Sequence, residues 1–299
     1  MSRVFVTGAT GVLGRRALPV PIEAGHAVTA VTRTADKADA VRRAGAEPVT
    51  VDLFDPVAVR RAVDGHDAVA HLATNIPTGA SAAARRGWAV NDRLRSRAAA
   101  NLSAAAIDTG AGRYVQESIT FPYVDGGDRW LDEATECACF WGNRTTADAE
   151  AATGAVSDAG GTGVVLRFAM FTAPDSAHLL SFANMARRGV WGVFGDDDAF
   201  VSFIGVDDAA AAVLAALDAP AGVYNVAEPE PLPRRDHRRA LATAVGRRRL
   251  RGLPKLAQKA GGEGAASLAR SHRISSAALQ YATSWSPTRR AVDAWSELA

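Results

Sequence analysis

Arg3-Val4-Phe5-Val6-Thr7-Gly8-Ala9-Thr10-Gly11-Val12-Leu13-Gly14 begins as an apolar strand and runs directly into three glycines spaced three residues apart. In such a turn Gly8 permits a tight bend, Gly11 lets the backbone approach a pyrophosphate, and Gly14 lets the following helix pack closely on the strand. The N-terminus of that helix presents N–H groups and a positive dipole to an anion. The stretch therefore predicts a dinucleotide site, with a bare surface turn as the alternative. The candidate cofactor contacts in it are Gly8, Thr10, Gly11, Val12, Leu13 and Gly14.

The composition fits one large α/β domain or two unequal lobes. The chain has 299 residues, 48% of them apolar, and 34 basic against 32 acidic residues give a formal net charge of +2. Such a chain can bury a large core, and its charge balance does not indicate a nucleic-acid partner. No apolar run reaches the roughly 18 residues that span a bilayer, and no charged leader precedes an apolar segment. We expect a cytoplasmic protein with no membrane partner.

Neither the cysteines nor the acidic residues predict a metal site. Cys137 and Cys139 are too close for an ordinary disulfide and too few for a zinc site, so two free thiols are expected. Asp196, Asp197 and Asp198 are adjacent, and a solvated turn explains them better than a metal does.

A proline limits the first predicted helix. The pattern predicts a helix over residues 11–24, but Pro19 lies inside it, and an interior proline costs about 3 kcal/mol. We therefore expect a kink or an early end near Leu18. Other predicted helices cover residues 88–109, 145–159, 179–188 and 207–217, the last with Asp207 as its N-cap. Predicted strands cover residues 27–32, 48–51, 68–72, 163–168 and 223–226, and a further strand ends at residues 117–118.

Further motifs follow the glycine turn in a regular order. They are Val51-Asp52-Leu53, Val69-Ala70-His71-Leu72-Ala73, Arg113-Tyr114-Val115-Gln116-Glu117-Ser118, Val165-Leu166-Arg167-Phe168, Gly205-Val206-Asp207-Asp208-Ala209-Ala210, Gly222-Val223-Tyr224-Asn225-Val226 and Trp285-Ser286-Pro287. With them the chain resembles the extended and atypical short-chain dehydrogenase/reductases, including the NAD-dependent epimerase/dehydratase group. The resemblance implies an α/β fold: a Rossmann-type doubly wound parallel sheet with a smaller C-terminal substrate lobe. It places the dinucleotide-binding core in residues 1–168, a strand near 223–226 that rejoins the sheet, and the substrate lobe mainly in residues 169–299.

The end of the second strand favours NADP(H) over NAD(H). An acid at this position would accept hydrogen bonds from the adenosine ribose, but the chain has Arg33. A guanidinium can form a two-pronged contact with a 2′-phosphate, and the Thr34 hydroxyl could assist. Arg15, just after the glycine turn, strengthens this interpretation. The alternative is a solvated arginine at a strand end.

The resemblance assigns the remaining cofactor contacts. Asp52 would read the adenine amino group and Leu53 would cover the ring, although Asp52 could equally cap a turn. Leu72, Ala73 and Thr74 would lie beside the pyrophosphate and the nicotinamide ribose, and the segment from Phe168 to Phe171 would contact the nicotinamide amide. His71 is expected to be a packed histidine. Asn91 resembles an asparagine that bends its helix in related enzymes, with a surface asparagine as the alternative.

The resemblance also shows what the catalytic site lacks. Ser118 stands where the family has a serine that contacts the substrate oxygen. The family's tyrosine, four residues before a lysine, exchanges a proton as hydride moves, and this chain has no such pair. Alignment on Glu150 puts Thr146 at the lysine position and Gly142 at the tyrosine position.

Two other residues are candidates for the missing chemistry. Tyr123, five residues past Ser118, could act as acid or base, or it could stack on the substrate or pack the loop. Arg144 is a permanent cation beside the missing pair, although its turn could simply cap the next helix.

These observations predict an NADP-dependent oxidoreductase or an epimerase/dehydratase-like enzyme acting on a carbonyl or hydroxyl of a small molecule. A non-redox lyase, cyclase or isomerase with a structural cofactor and an NADP(H)-sensing protein are the alternatives, because the tyrosine and lysine are missing. The only other partner expected is a second copy in a homodimer.

Overall fold

The computed structural model describes residues 1–254 and 260–297. Its strands are β1 (Arg3–Thr7), β2 (Ala27–Val31), β3 (Glu47–Val49), β4 (Ala68–His71), β5 (Arg113–Ile119), β6 (Trp130–Leu131), β7 (Thr162–Phe168), β8 (Met170–Thr172), β9 (Phe200–Val201), β10 (Phe203–Gly205), β11 (Gly222–Val226), β12 (Leu232–Pro233) and β13 (Arg273–Ile274). Its α-helices are α1 (Gly14–Ala17), α2 (Pro19–Glu23), α3 (Ala35–Arg43), α4 (Pro56–Val63), α5 (Arg85–Arg93), α6 (Ala99–Thr109), α7 (Thr145–Asp158), α8 (Ala177–Arg187), α9 (Val206–Ala215), α10 (Arg234–Ala244), α11 (Gly262–Ala269), α12 (Ala277–Ala282) and α13 (Ala291–Ser296). None of these helices is long and apolar enough to cross a membrane.

Seven parallel strands form the central sheet, in the order β11-β7-β5-β4-β1-β2-β3. Side chains alternate between its faces: Val4 and Val6 join one apolar cluster, and Phe5, between them, joins another. Val213 of α9 belongs to the first cluster and Leu102 of α6 to the second, so helices cover both faces. The predicted doubly wound fold is confirmed. Its strand order reverses between β1 and β4, where ligands bind such sheets.

The first helix breaks where the proline predicts. Helix α1 ends at Ala17, and Pro19 begins α2 one residue past Leu18. A proline costs little in the first turn of a helix, because the N–H that it lacks has no partner there. The expected interruption near Leu18 is confirmed, and the first turn after the glycines is intact.

The long helix predicted at residues 88–109 is interrupted by a π turn, Leu94–Ala98, between α5 and α6. The Leu94 carbonyl accepts the Ala99 N–H and also contacts Nε2 of His71 at 3.1 Å. His71 is fully buried, as predicted, and burial lowers its pKa to about 4. The ring is therefore neutral at physiological pH. Such π turns are frequent at functional sites.

Asn91 precedes the π turn and is fully buried, so the surface alternative for this residue is wrong. Its Oδ1 accepts the Asn75 N–H at 3.0 Å. The contact ties α5 to the loop that follows β4, at the edge of the sheet where the cofactor is expected.

Some of the residues after β7 join the cluster on one face of the sheet, while others form a separate apolar cluster. Its centre is formed by Trp191, Phe203 and Trp295, and the rings of Phe203 and Trp295 meet edge to face with centroids 5.5 Å apart. Short strands support it, with β8 beside β10 and β9 beside β12. Strand β8 follows β7 after a single residue, so this cluster begins directly after the sheet strand β7.

The expected N-cap at Asp207 is wrong. Helix α9 begins at Val206, with Gly205 in the N-cap position. The Asp207 carboxylate instead pairs with Arg16 at 3.4 Å and with Arg289 at 3.8 Å. These partners come from distant parts of the chain, and no local pattern contains them.

Candidate functional site

The glycine turn is held in a conformation that only glycine fits. Gly8 has a φ of 78°, and a Cβ there would lie 2.5 Å from the carbonyl carbon of Leu72. A Cβ on Gly14 would lie 2.1 Å from the Gly8 oxygen. The turn is therefore pressed against both the end of β4 and the start of α1.

The outer side of the same turn is open. Gly11 is exposed, and a Cβ there would meet only the Gly8 oxygen, at 3.3 Å. The Gly11 N–H itself closes the turn by donating to that oxygen at 2.9 Å. A bare backbone surface beside a helix start fits the pyrophosphate of a dinucleotide.

The two residues expected at the 2′-phosphate are accessible. Arg33 is exposed and makes no hydrogen bond or ion pair within residues 1–254 and 260–297. Thr34 occupies the N-cap position of α3, but its hydroxyl caps no N–H. Arg15 differs, because its guanidinium donates to Asp175 at 2.7 Å. Arg33 and Thr34 are thus accessible to a ligand, whereas the Arg15 guanidinium is engaged by Asp175.

The other predicted cofactor contacts fall into two groups. Four of them have side chains in the core, so only their backbones could meet a ligand: Leu13, Leu53, Leu72 and Phe168. The second group has partly or fully exposed side chains: Thr10, Val12, Asp52, Ala73, Thr74 and Phe171. The Asp52 carboxylate accepts the Phe54 N–H at 2.9 Å, which is the turn-capping alternative.

Ser118 lies near the carboxyl end of β5 and is fully buried. Its hydroxyl donates to Glu150 Oε1 at 2.6 Å. Arg167 of β7 holds the same carboxylate through Nε at 2.9 Å and Nη2 at 2.6 Å. Glu150 and Arg167 keep 17% and 11% of their side chains exposed, so this ion pair borders the surface while Ser118 lies behind it.

Tyr123 packs in the core, which is one of the alternatives that the sequence left open for it. It does not stand where an acid or base would act on a substrate. Its side chain is fully buried, and its hydroxyl donates to Asn225 Oδ1 at 2.8 Å while accepting from Arg167 Nη1 at 2.8 Å. Burial raises the pKa of this phenol to about 12. It therefore offers no proton to a molecule outside the core.

Arg144 is exposed at the N-cap position of α7 and makes no side-chain capping bond. It lines a shallow surface recess with Asp92, Ser96 and Asp148. The side chain thus belongs to the outer surface of α5 and α7.

The position of the missing tyrosine is filled by aromatic rings. A Cβ on Gly142 would lie 2.6 Å from Phe140 Cε2 and 3.3 Å from Trp88 Cε2. Trp88, Phe140 and Trp141, which we call the aromatic trio, meet edge to face with centroids 5.5–6.4 Å apart. All three are half-buried. Sequence reasoning missed this trio, because its members come from α5 and from the turn before α7.

An arginine from another helix contacts Thr146, the residue at the position of the missing lysine. Arg95, in the π turn, donates to the Thr146 hydroxyl at 3.1 Å and to both oxygens of Glu117, at 3.0 and 3.1 Å. Burial raises the pKa of Glu117, and Arg95 opposes that effect. The signal in the sequence is weak: Arg95 follows Asn91 by one helical turn and so shares its inward face.

The remaining polar candidates are ordinary surface groups. Cys137 and Cys139 are free, as predicted, and they lie at the surface, where partial burial of each thiol raises its pKa. Asp197 and Asp198 form ion pairs with Arg238 and Arg235. No cluster of potential metal ligands occurs within the described ranges.

Two known reductases are similar to this chain over most of its length. Over 241 residues the chain is 30% identical to the 3-diazoavenalumate denitrifying reductase of a Streptomyces species, covering 77% of each protein. Over 259 residues it is 30% identical to the 2-alkyl-3-oxoalkanoate reductase of Stenotrophomonas maltophilia, covering 82% of this chain and 76% of that one.

Solved structures show the same fold. A UDP-N-acetylglucosamine 4-epimerase from Bacillus cereus superposes with a TM-score of 0.76 at 20% identity, covering 100% of this chain and 98% of that chain. A human epimerase family protein solved with NADPH gives 0.78 at 20% identity, covering 99% of both. The sequence profile of the NAD(P)H-binding family matches residues 8–220. Because that match covers more than half of the chain, this protein belongs to the NAD(P)H-binding family.

Proposed function

We propose that this NAD(P)-dependent, reductase- or epimerase-like protein is an NADP(H)-dependent reductase of a small molecule. The choice of NADP(H) rests on one observation: Arg33, at the end of β2, is exposed and unpaired within the described ranges. The observation that supports reduction is the identity shared with two reductases. Their names give a diazo compound and a 3-oxoalkanoate as substrates, so a compact electrophile of either type is a candidate here.

The first prediction concerns cofactor choice. Arg33→Asp is expected to weaken NADPH binding by about tenfold to a hundredfold, because a charge-assisted fork is replaced by a repelling carboxylate. NADH lacks the 2′-phosphate, so its affinity should change little. Fluorescence titration of both cofactors measures the ratio. The matched control is Arg43→Asp, at the far end of α3. Equal affinity of the wild type for NADPH and NADH would refute the assignment.

The chain's own residues suggest how a substrate would be held. With NADP(H) in the cleft, the nicotinamide would supply or accept the hydride. The Glu150–Arg167 pair borders the exposed surface beside Ser118, and the aromatic trio packs around Gly142, just before the helix that carries Glu150. We propose that Ser118 meets the reacting group when substrate binding opens this surface, because such contacts often form only in the complex. Its proton is held by Glu150, so its oxygen would present lone pairs.

The second prediction follows from that role. Ser118→Ala is expected to lower kcat/KM by about tenfold to a hundredfold, since the variant would lose a polar contact of about 1.5–3 kcal/mol between the serine oxygen and the reacting group. The dissociation constant of NADPH should stay the same. Ser157→Ala on the same helix as Glu150, but at its far end, is the matched control. Full activity of the Ser118 variant would show that Ser118 takes no part in the reaction.

A second candidate is a non-redox lyase, cyclase or isomerase, or an NADP(H) sensor, that keeps the cofactor without turning it over. The packing of Phe140 and Trp88 against Gly142 favours it, because no phenol can occupy that position. Following NADPH absorbance alongside product analysis distinguishes the two. A sensor would bind NADPH tightly and form no product in either assay.

Two further proposals accompany this function. The free thiols of Cys137 and Cys139 fit a reducing compartment, which supports a cytoplasmic location. A homodimer is proposed from the family resemblance, and sedimentation analysis tests it.

A further inference from the structure

Two of the hydroxyl protons around the candidate site are already used. Ser118 donates to Glu150 at 2.6 Å, and Thr145 donates to Asp92 at 3.1 Å. The Thr146 oxygen accepts from Arg95, whose charge is balanced by Glu117. Thr146 is an aliphatic alcohol and a far weaker acid than a phenol.

The phenols of the chain are no better placed. Tyr114 donates to Gln116 Oε1 at 3.0 Å in the core, and Tyr123 donates to Asn225. The hydroxyl of Tyr224 donates to the Pro220 carbonyl at 3.0 Å. Tyr281 is 96% exposed on α12, in a helix that packs on the edge strand β11. No tyrosine can therefore replace the one missing at residue 142.

The surface that replaces the tyrosine suits a different ligand. The aromatic trio fills the space beside Gly142, and Gly264 of α11 leaves room for Phe140 from the opposite side, with its Cβ position 3.4 Å from the ring. Aromatic faces attract cations and bind flat groups. The guanidinium of Arg85 already lies over Trp141, 5.7 Å from the ring centroid. One ring of the trio, Trp141, thus already holds a cation that belongs to the chain itself.

On these grounds we propose that the molecule reduced is a planar iminium cation seated against Trp88, Phe140 and Trp141. The inference rests on the proposed reductase function and names a substrate class other than the two that the names of the relatives give. A carbonyl becomes an alkoxide on accepting hydride and needs a proton, whereas an iminium ion becomes a neutral amine and needs none. The carbon gains a C–H bond from the nicotinamide hydride, the π pair of the C=N bond moves to nitrogen, and NADPH becomes NADP⁺. Atoms and charges balance without an acid from the protein.

The test compares two flat bicyclic molecules of similar shape, the N-methyl dihydroisoquinolinium cation and the neutral ketone tetralone. Wild-type protein with NADPH is expected to turn over the cation with at least tenfold higher kcat/KM. Calorimetric titration without NADPH should show the cation binding at least tenfold more tightly than the ketone. Trp88→Leu should raise KM for the cation about tenfold, and Trp88→Phe, which keeps a ring, should restore most of the loss.

The possible failures differ from one another. If tetralone is reduced as fast as the cation, the inference is overturned while the reductase proposal stands. The same conclusion follows if Cys139→Ser abolishes ketone reduction, because a thiol would then supply the proton. If NADPH binds and neither probe is reduced, both the reductase proposal and the inference fail. The comparison of the cation with tetralone uses the wild-type protein, so it tests the inference even if a variant does not fold.

Discussion

Replacing Arg95 with methionine is expected to lower the free energy of unfolding by about 3–5 kcal/mol, because the change leaves the Glu117 carboxylate buried without its partner. The two side chains are only 1% and 6% exposed, so water cannot take the place of the guanidinium. Methionine fills similar space and adapts its shape, so the loss reports the unpaired charge more than a cavity. Denaturant unfolding of the two proteins measures the difference.

The control removes both charges. Arg95→Met combined with Glu117→Leu is expected to recover most of the stability, since apolar replacement of a buried ion pair is often neutral. A single Arg95 variant within about 1 kcal/mol of wild type, the range of an average substitution, would contradict the buried-pair account. The Arg95 variant also removes the hydrogen bond that Arg95 donates to the Thr146 hydroxyl.

Gly14→Ala is expected to abolish NADPH binding and to destabilise the protein by about 3 kcal/mol or more. The new Cβ would lie 2.1 Å from the Gly8 oxygen and 2.6 Å from Ala9 Cα, so backbone atoms must move. The atoms that move belong to the turn that would hold the pyrophosphate. Thermal unfolding and an NADPH titration measure the two losses together.

Gly11→Ala is the matched comparison in the same turn. A Cβ there meets a single atom at 3.3 Å, so the fold should be nearly as stable as the wild type. The methyl group would stand on the open side of the turn, where the phosphates are expected, and NADPH affinity should fall at least tenfold. Unchanged NADPH affinity in this variant would mean that the cofactor does not approach Gly11.

Several features of the molecule could be predicted from the sequence, because local rules decide them. The alternation of Val4, Phe5 and Val6 places side chains on two faces of a strand. The glycine spacing requires the turn, and Pro19 breaks the helix wherever the rest of the chain lies. Two free thiols followed from the number and spacing of the cysteines alone.

The roles of Tyr123 and Asp207 could not be predicted in this way. Tyr123 lies five residues from Ser118, yet its hydroxyl is held by Arg167 and Asn225, which belong to other strands of the sheet. The partners of Asp207 are Arg16 and Arg289, from opposite ends of the chain. Contacts of that separation depend on how the elements pack, and spacing along the chain carries no record of them.

By itself the sequence determined the family, the places of the sheet strands along the chain and the loss of the tyrosine and lysine, since each is a statement about residue types at fixed intervals. Only the tertiary structure decided what replaced them. Phe140 and Trp88 fill the space beside Gly142, and the guanidinium of Arg95 reaches Thr146 across 51 positions of the chain. Both replacements are produced by packing between elements, where burial removes water and forces each charge and ring to find a partner in three dimensions.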